Sequence, residues 1–173
     1  MTELPSHGIL FQYSNTGVLL TGASGIGKSD IMLQLLQTNA KLVCDDGPSY
    51  KIKKVQGKKI LVGYCADTEL AEMMHIRDLG LIHVPSLFGK NSVQKQVKIE
   101  LIIHLDTDKR LQQSYQTAIL APEYSILSYQ QFNLSVLKLA YNSNRPMALL
   151  VKLAVKQFKL KQLKLDPCQV VIK

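Results

Sequence analysis

The octet Gly22-Ala23-Ser24-Gly25-Ile26-Gly27-Lys28-Ser29 fits the pattern G-x-x-x-x-G-K-[ST] in full. Its flanks suit it: the apolar run Val18-Leu19-Leu20 precedes it, and a helix-like stretch beginning Asp30-Ile31-Met32 follows. Strand, glycine-rich loop and helix in that order make a phosphate cradle. Backbone N–H groups turn inward, and the helix N-terminus adds partial positive charge. In such a loop the Lys28 ammonium reaches the β- and γ-phosphates, and the Ser29 hydroxyl ligates Mg²⁺. The pattern therefore predicts binding of a nucleoside triphosphate through residues 22–29.

A phosphate loop works with a metal and an acidic partner at a neighbouring strand end. Two runs qualify. Leu42-Val43-Cys44 ends in Asp45-Asp46, and Leu101-Ile102-Ile103-His104-Leu105 ends in Asp106. Adjacent carboxylates divide labour well: one holds Mg²⁺ while the other takes a proton from an incoming hydroxyl. Neighbouring side chains on a strand point opposite ways, so such a pair must sit at an irregular strand end, and Gly47 supplies the irregularity. Spacing alone leaves both runs open. A solvated turn before Gly47-Pro48 is the alternative, and the functional reading is only slightly favoured over it.

His7 is a further candidate. If residues 8–13 and 18–21 pair as a hairpin around Asn15, His7 falls at the end far from that turn, close to Gly22. A lone histidine is more often structural or exposed.

The elements that would hold these groups alternate between strand and helix patterns, which predicts an α/β domain. Strands are expected at residues 8–13, 18–21, 41–44, 81–84, 98–105 and 134–141, with a hairpin of residues 49–55 and 60–63 around Gln56-Gly57. Helices are expected over residues 28–37, over 68–75 with Asp67 near the N-cap, and over 145–161. Residues 111–131 give no clear pattern. No repeat, linker or low-complexity tract interrupts the 173 residues, so a single domain, 1–173, is the economical count.

Composition narrows the classes. Apolar residues make up 46%, enough for a real core. No apolar run approaches the roughly 20 residues of a membrane span, and residues 1–7 lack signal-peptide features. Cys44, Cys65 and Cys168 are an odd set without paired spacing. They read as buried apolar residues in a reducing cytosol, without a disulfide framework or zinc site. The net charge is +8, gathered at Lys51, Lys53, Lys54, Lys58 and Lys59 and again at Lys152, Lys156, Lys159, Lys161 and Lys164. These are solvated faces or docking surfaces for an acidic partner or nucleic acid. With 6% aromatics and no Trp, a platform for stacking single-stranded bases is not expected.

Taken in order, His7-Gly8, residues 22–29, Asp45-Asp46 and Ile76-Arg77-Asp78-Leu79-Gly80-Leu81-Ile82-His83-Val84 resemble the catalytic domain of HPr kinase/phosphorylase. Asn144-Arg145-Pro146-Met147-Ala148 and the basic segment after it are similar to that family's Arg-Asn-Leu-Ala-Val stretch and C-terminal helix. The resemblance implies a phosphate-loop, PEP-carboxykinase-like fold with a mixed sheet and flanking helices. It implies a cytoplasmic, ATP- and Mg²⁺-dependent kinase of the phosphotransferase system, acting on a serine of the phosphocarrier protein HPr. Lys28 and the loop amides would bind phosphate, and Ser29 and Asp46 would hold Mg²⁺. Asp45 would be the general base, and the acid in the reverse direction. His7 would lie beside Asp45, and Arg77 and Arg145 would serve the transferring phosphate. Hexameric assembly is implied as well, with the C-terminal basic helix as a docking surface.

Three departures from the family stand out. The signature's leading Glu is His75, the Gly after Arg is Asp78, and the second loop position, usually acidic, is Ala23. The first removes an oxygen ligand, so a carboxylate from Asp78 or Glu72 would have to replace it. The family's common form also carries an N-terminal domain that this sequence does not include. Kinase activity is expected ahead of the reverse phosphorylase activity. A small-molecule kinase on the same scaffold and a non-catalytic ATP-binding module are the rival readings.

Overall fold

The computed structural model describes residues 3–107 and 124–164. Its sheet grows outward from the strand that feeds the phosphate loop. Strands β1 (Ile9–Tyr13) and β2 (Thr16–Gly22) form an antiparallel hairpin in which Ile9 faces Leu20 and Tyr13 faces Thr16. Strand β3 (Lys41–Cys44) lies antiparallel to β1. On the other side of β2 runs the long strand β8 (Gln96–Asp106), parallel to it. Strand β10 (Phe132–Ala140) is parallel to β8 and closes antiparallel with β9 (Tyr124–Tyr129). The order is β3-β1-β2-β8-β10-β9. A hairpin of β4 (Ser49–Val55) and β5 (Lys58–Tyr64) joins the first residues of β8 through Val62 to Tyr64. A separate two-stranded sheet pairs β6 (Met73–Ile76) with β7 (Gly80–His83).

Both faces of the central strands are buried, which is why residues 18–20 and 101–103 read as unbroken apolar runs. Val18, Leu20, Leu101, Ile103 and Leu105 face the helices, and Leu19 and Ile102 face the side of β5. Helix α1 (Lys28–Leu36) buries Ile31, Met32, Leu35 and Leu36. Helix α2 (Val84–Phe88) is short and has Pro85 in its first turn, followed by a 3-10 turn at Lys90–Ser92. Helix α3 (Met147–Gln162) buries Met147, Ala148, Val151, Ala154, Val155 and Phe158, the stripe its helical period requires. Its lysines stay on the outer side, apart from Lys159, whose ammonium donates to the Ser14 carbonyl at 2.8 Å.

Gly17 is fixed by a close approach. The β2–β8 register slips between Gly17 and Val18, and a side chain at position 17 would drive into the Lys98 carbonyl and the Val97 side chain.

Most expected elements are present, and two expectations need correction. Residues 68–75 do not form a helix. Asp67 Oδ1 accepts N–H bonds from Glu69 and Leu70, so the cap is real, but it closes only a turn. Glu72 then takes a left-handed conformation (φ 71°), and Met73 onward pairs with β7. Met74 and Ile76 bury on alternate positions, a strand period that outweighs the local helical pattern. The second correction concerns Arg145, which precedes α3 rather than opening it. Proline pushes the residue before it out of helical geometry, so Pro146 delays the helix to Met147. Residues 142–145 turn instead on Asn142, whose Oδ1 accepts the Asn144 N–H at 2.9 Å and whose carbonyl accepts that of Arg145 at 3.0 Å. Of the unclear segment, Tyr124–Tyr129 is strand β9; residues 108–123, like Cys168, lie outside the described residues.

Candidate functional site

The strand directions bring the chemistry to one edge. β2, β3, β8 and β10 all run the same way, because β3 and β2 both pair antiparallel with β1. Their carboxyl ends therefore converge. There stand the phosphate loop after β2, Asp45-Asp46 after β3, Asp106 closing β8 and Tyr141 after β10. This is the edge at which open α/β sheets bind ligands.

The loop turns into α1 at Gly27, which has φ 96° and ψ 21°. Lys28 Nζ donates back to the carbonyls of Gly22 at 3.1 Å and Ala23 at 3.0 Å, so the ammonium lies inside the loop. The first-turn amides of α1 have no partner within the helix and are free to meet an anion. Below the loop, Thr21 is buried, and its hydroxyl lies 3.0 Å from His104 Nδ1.

Asp45 is half-buried, and its Oδ2 accepts the main-chain N–H of His75 at 2.8 Å. Burial pushes its pKa above the usual carboxylate value of 3.8, and the Asp46 charge adds to the rise. The His75 hydrogen bond, the His75 imidazole and the Lys28 ammonium oppose it without cancelling it. Asp46 sits in the left-handed region (φ 51°) at the strand end, the irregularity the acid pair requires.

His7 lies at the far end of the β1–β2 hairpin from its turn, but it meets Asp46, not Asp45: Nδ1 is 3.7 Å from Asp46 Oδ1. Arg77, in the β6–β7 turn, reaches the loop: a side-chain carbon at Gly25 would lie 3.6 Å from its Nη2. Arg145 is exposed in the turn after Tyr141 and makes no ion pair among the described residues. Glu72 Oε2 pairs with His83 Nε2 at 3.6 Å, at the other end of the β6–β7 hairpin from Arg77. Asp78 stands exposed beside Arg77 with φ 67°.

Among the described residues no group of three or more His, Cys, Asp or Glu side chains forms a metal cage. Mg²⁺ needs none: one or two protein oxygens plus phosphate and water complete its shell. A serine hydroxyl and one carboxylate, Ser29 and Asp46, are a donor set of that kind. Cys44 is buried directly before the acid pair. Burial, the Cys65 thiol and the neighbouring acids all hold its thiol protonated.

Two contributors escaped the sequence. One is the His75 amide, a main-chain donor that no residue type announces. The other is Tyr141, whose phenol lies against Gly27.

Sheet, loop and acid pair together define an α/β domain of the phosphate-loop class. The family profile described as HPr Serine kinase C-terminal domain matches residues 2–173. The chain belongs to that family. It is 41% identical over 108 residues to an HPr kinase/phosphorylase of Clostridium tetani (strain Massachusetts / E88), covering 62% of this chain and 34% of the relative. It is 30% identical over 163 residues to an HPr kinase/phosphorylase of Bacillus cereus (strain B4264), covering 94% of this chain and 50% of the relative. The chain thus spans half or less of the length of these relatives. Among solved structures, the Hpr(Ser) kinase/phosphatase from Coxiella burnetii superposes with a TM-score of 0.81 at 27% identity, covering 95% of this chain and 96% of that one.

Proposed function

We propose that this domain is an ATP- and Mg²⁺-dependent protein serine kinase whose acceptor is a serine on an HPr-like phosphocarrier protein. Asp45 removes the proton from the serine hydroxyl, the freed oxygen attacks the γ-phosphorus, and ADP leaves with the bridging oxygen. Lys28 and the loop amides bind the β- and γ-phosphates. Ser29 and Asp46 hold Mg²⁺, which neutralises charge on the phosphate chain when bound. Arg77 and Arg145 serve the transferring group, and His7 orients Asp46 rather than the base.

One observation carries this reading. A half-buried carboxylate, hydrogen-bonded by the His75 amide, stands at the same sheet edge as the phosphate-loop lysine. A mere nucleotide holder needs no such base. The names of the relatives support a phosphocarrier serine over a small-molecule hydroxyl. His75 in place of a ligating Glu favours the kinase direction over the reverse reaction. The reading includes residues 1–173 as one catalytic domain, a hexameric assembly with the basic C-terminal helix as docking surface, and a cytoplasmic setting. No helix among the described residues is long and apolar enough to cross a membrane. The test is incubation of the purified chain with Mg·ATP and HPr. Phosphoserine on HPr is the expected product; ATP bound without any phosphoprotein would overturn the kinase assignment.

A further inference from the structure

Gly27 is the residue at which the phosphate loop becomes a helix, and it holds a left-handed conformation (φ 96°, ψ 21°). Glycine enters that conformation freely and leaves it as freely, because no side chain restrains it. Something else must hold the turn if the amides after it are to stay aimed at a phosphate.

The restraint comes from a different part of the chain. A side-chain carbon built on Gly27 would lie 2.9 Å from the Tyr141 hydroxyl oxygen and 3.5 Å from ring carbons Cε2 and Cζ. The phenol thus occupies the space a side chain at position 27 would take. Tyr141 is itself anchored. Its N–H donates to the Asp106 carbonyl at 2.7 Å, which extends the β8–β10 ladder by one step. Its half-buried ring packs against the core on the helix side of the sheet. An aromatic side chain has only two rotatable bonds, so it holds its place at little entropic cost. Backbone anchor, core contact and ring therefore form a rigid strut from the end of β10 to the loop.

We propose that the Tyr141 ring is a positioning residue for the nucleotide: it replaces the side chain that Gly27 lacks and clamps the loop in its phosphate-binding shape. This rests on the phosphate-loop reading above. The clamp acts on affinity. Loosening it weakens the ground state and the transition state alike, so KM for ATP rises while kcat at saturation holds.

The test is calorimetric binding of Mg²⁺ and a non-hydrolysable ATP analogue to the full chain, alongside steady-state kinetics. Tyr141→Phe keeps the ring but removes the hydroxyl oxygen nearest Gly27, so its affinity should fall between the parent and Tyr141→Ala, which should bind about tenfold more weakly, with KM rising in step. If Tyr141→Ala does not fold, Tyr141→Leu makes the same comparison. Gly27→Ala should cost less affinity on the Tyr141→Ala background than on the parent, because the methyl then has room. Parent-like affinity in Tyr141→Ala overturns the clamp, and so does a loss in Tyr141→Phe as large as in Tyr141→Ala. Failure of the underlying reading looks different: the parent itself would not bind, or Lys28→Ala would bind as well as the parent.

Discussion

The main-chain N–H of His75 donates to Asp45 Oδ2 at 2.8 Å, across thirty positions of sequence. This bond holds one carboxylate oxygen; on the proposed reading the other takes the proton of a substrate hydroxyl. A positioned base typically contributes about a hundredfold or more to a proton-coupled step. Asp45→Asn should therefore lose phosphotransfer by about that factor while keeping its ATP affinity. Phosphotransfer measured with labelled ATP and binding measured by calorimetry separate the two; full activity in this variant removes Asp45 as the base.

The raised pKa of Asp45 sets an acid limit on activity. The base works only as carboxylate, so the rate should fall on acidification at a pH above the 3.8 of an ordinary aspartate. A kcat/KM profile with fixed free Mg²⁺ reads the position of that limb. An inflection at or below the ordinary value would contradict the burial of the group.

The same shift has a cost in stability, with a definite sign. A carboxyl whose pKa is higher folded than unfolded makes the native state bind the proton more strongly. Its stabilising contribution is complete below the unfolded pKa and is lost as pH rises through the folded one. Asp45→Asn should thus melt at a higher temperature than the parent at neutral pH, and the gap should close toward acid. Paired thermal melts across pH test this.

Lys28 lies against the loop carbonyls of Gly22 and Ala23. Lys28→Ala should weaken Mg·ATP binding by at least about tenfold, the usual scale for hydrogen bonds to a charged group. Arg77, beside Gly25, should act later. Arg77→Ala should lower kcat by about a hundredfold or more with a smaller change in KM, and lysine should not restore it because its head lacks the planar fork.

Gly17 offers a test remote from the chemistry. Gly17→Ala sets a methyl against the Lys98 carbonyl at the β2–β8 slip. Overpacking of this kind should destabilise by about 2 kcal/mol, visible in a denaturant midpoint with an unchanged slope.

Much of this architecture was legible because its signals are local. Residues 22–29 carry their own pattern, and the strands ending at Cys44 and Asp106 are apolar runs with abrupt acidic ends. The β1–β2 hairpin that brings His7 near the loop followed from a turn and two apolar runs. What was not legible depends on partners distant in sequence. Residues 68–75 look helical alone, yet the first part closes only a turn and Met73 onward is strand because β7 is there to pair with it. The contact of His7 with Asp46 joins residues thirty-nine positions apart, at a left-handed position that no residue type announces. Tyr141 is an ordinary strand-end aromatic until Gly27 is found beneath it.

The small β6–β7 ribbon stands apart from the main sheet, yet it supplies both the amide on Asp45 and the guanidinium beside Gly25. It is moored to the rest of the protein through Met74 and Ile76. On the roles proposed for Asp45 and Arg77, proton abstraction and charge relief on the transferring phosphoryl group share one mooring. A lesion in those two side chains, which themselves carry no reacting group, would read out as silenced chemistry in a chain that still folds and still holds its nucleotide.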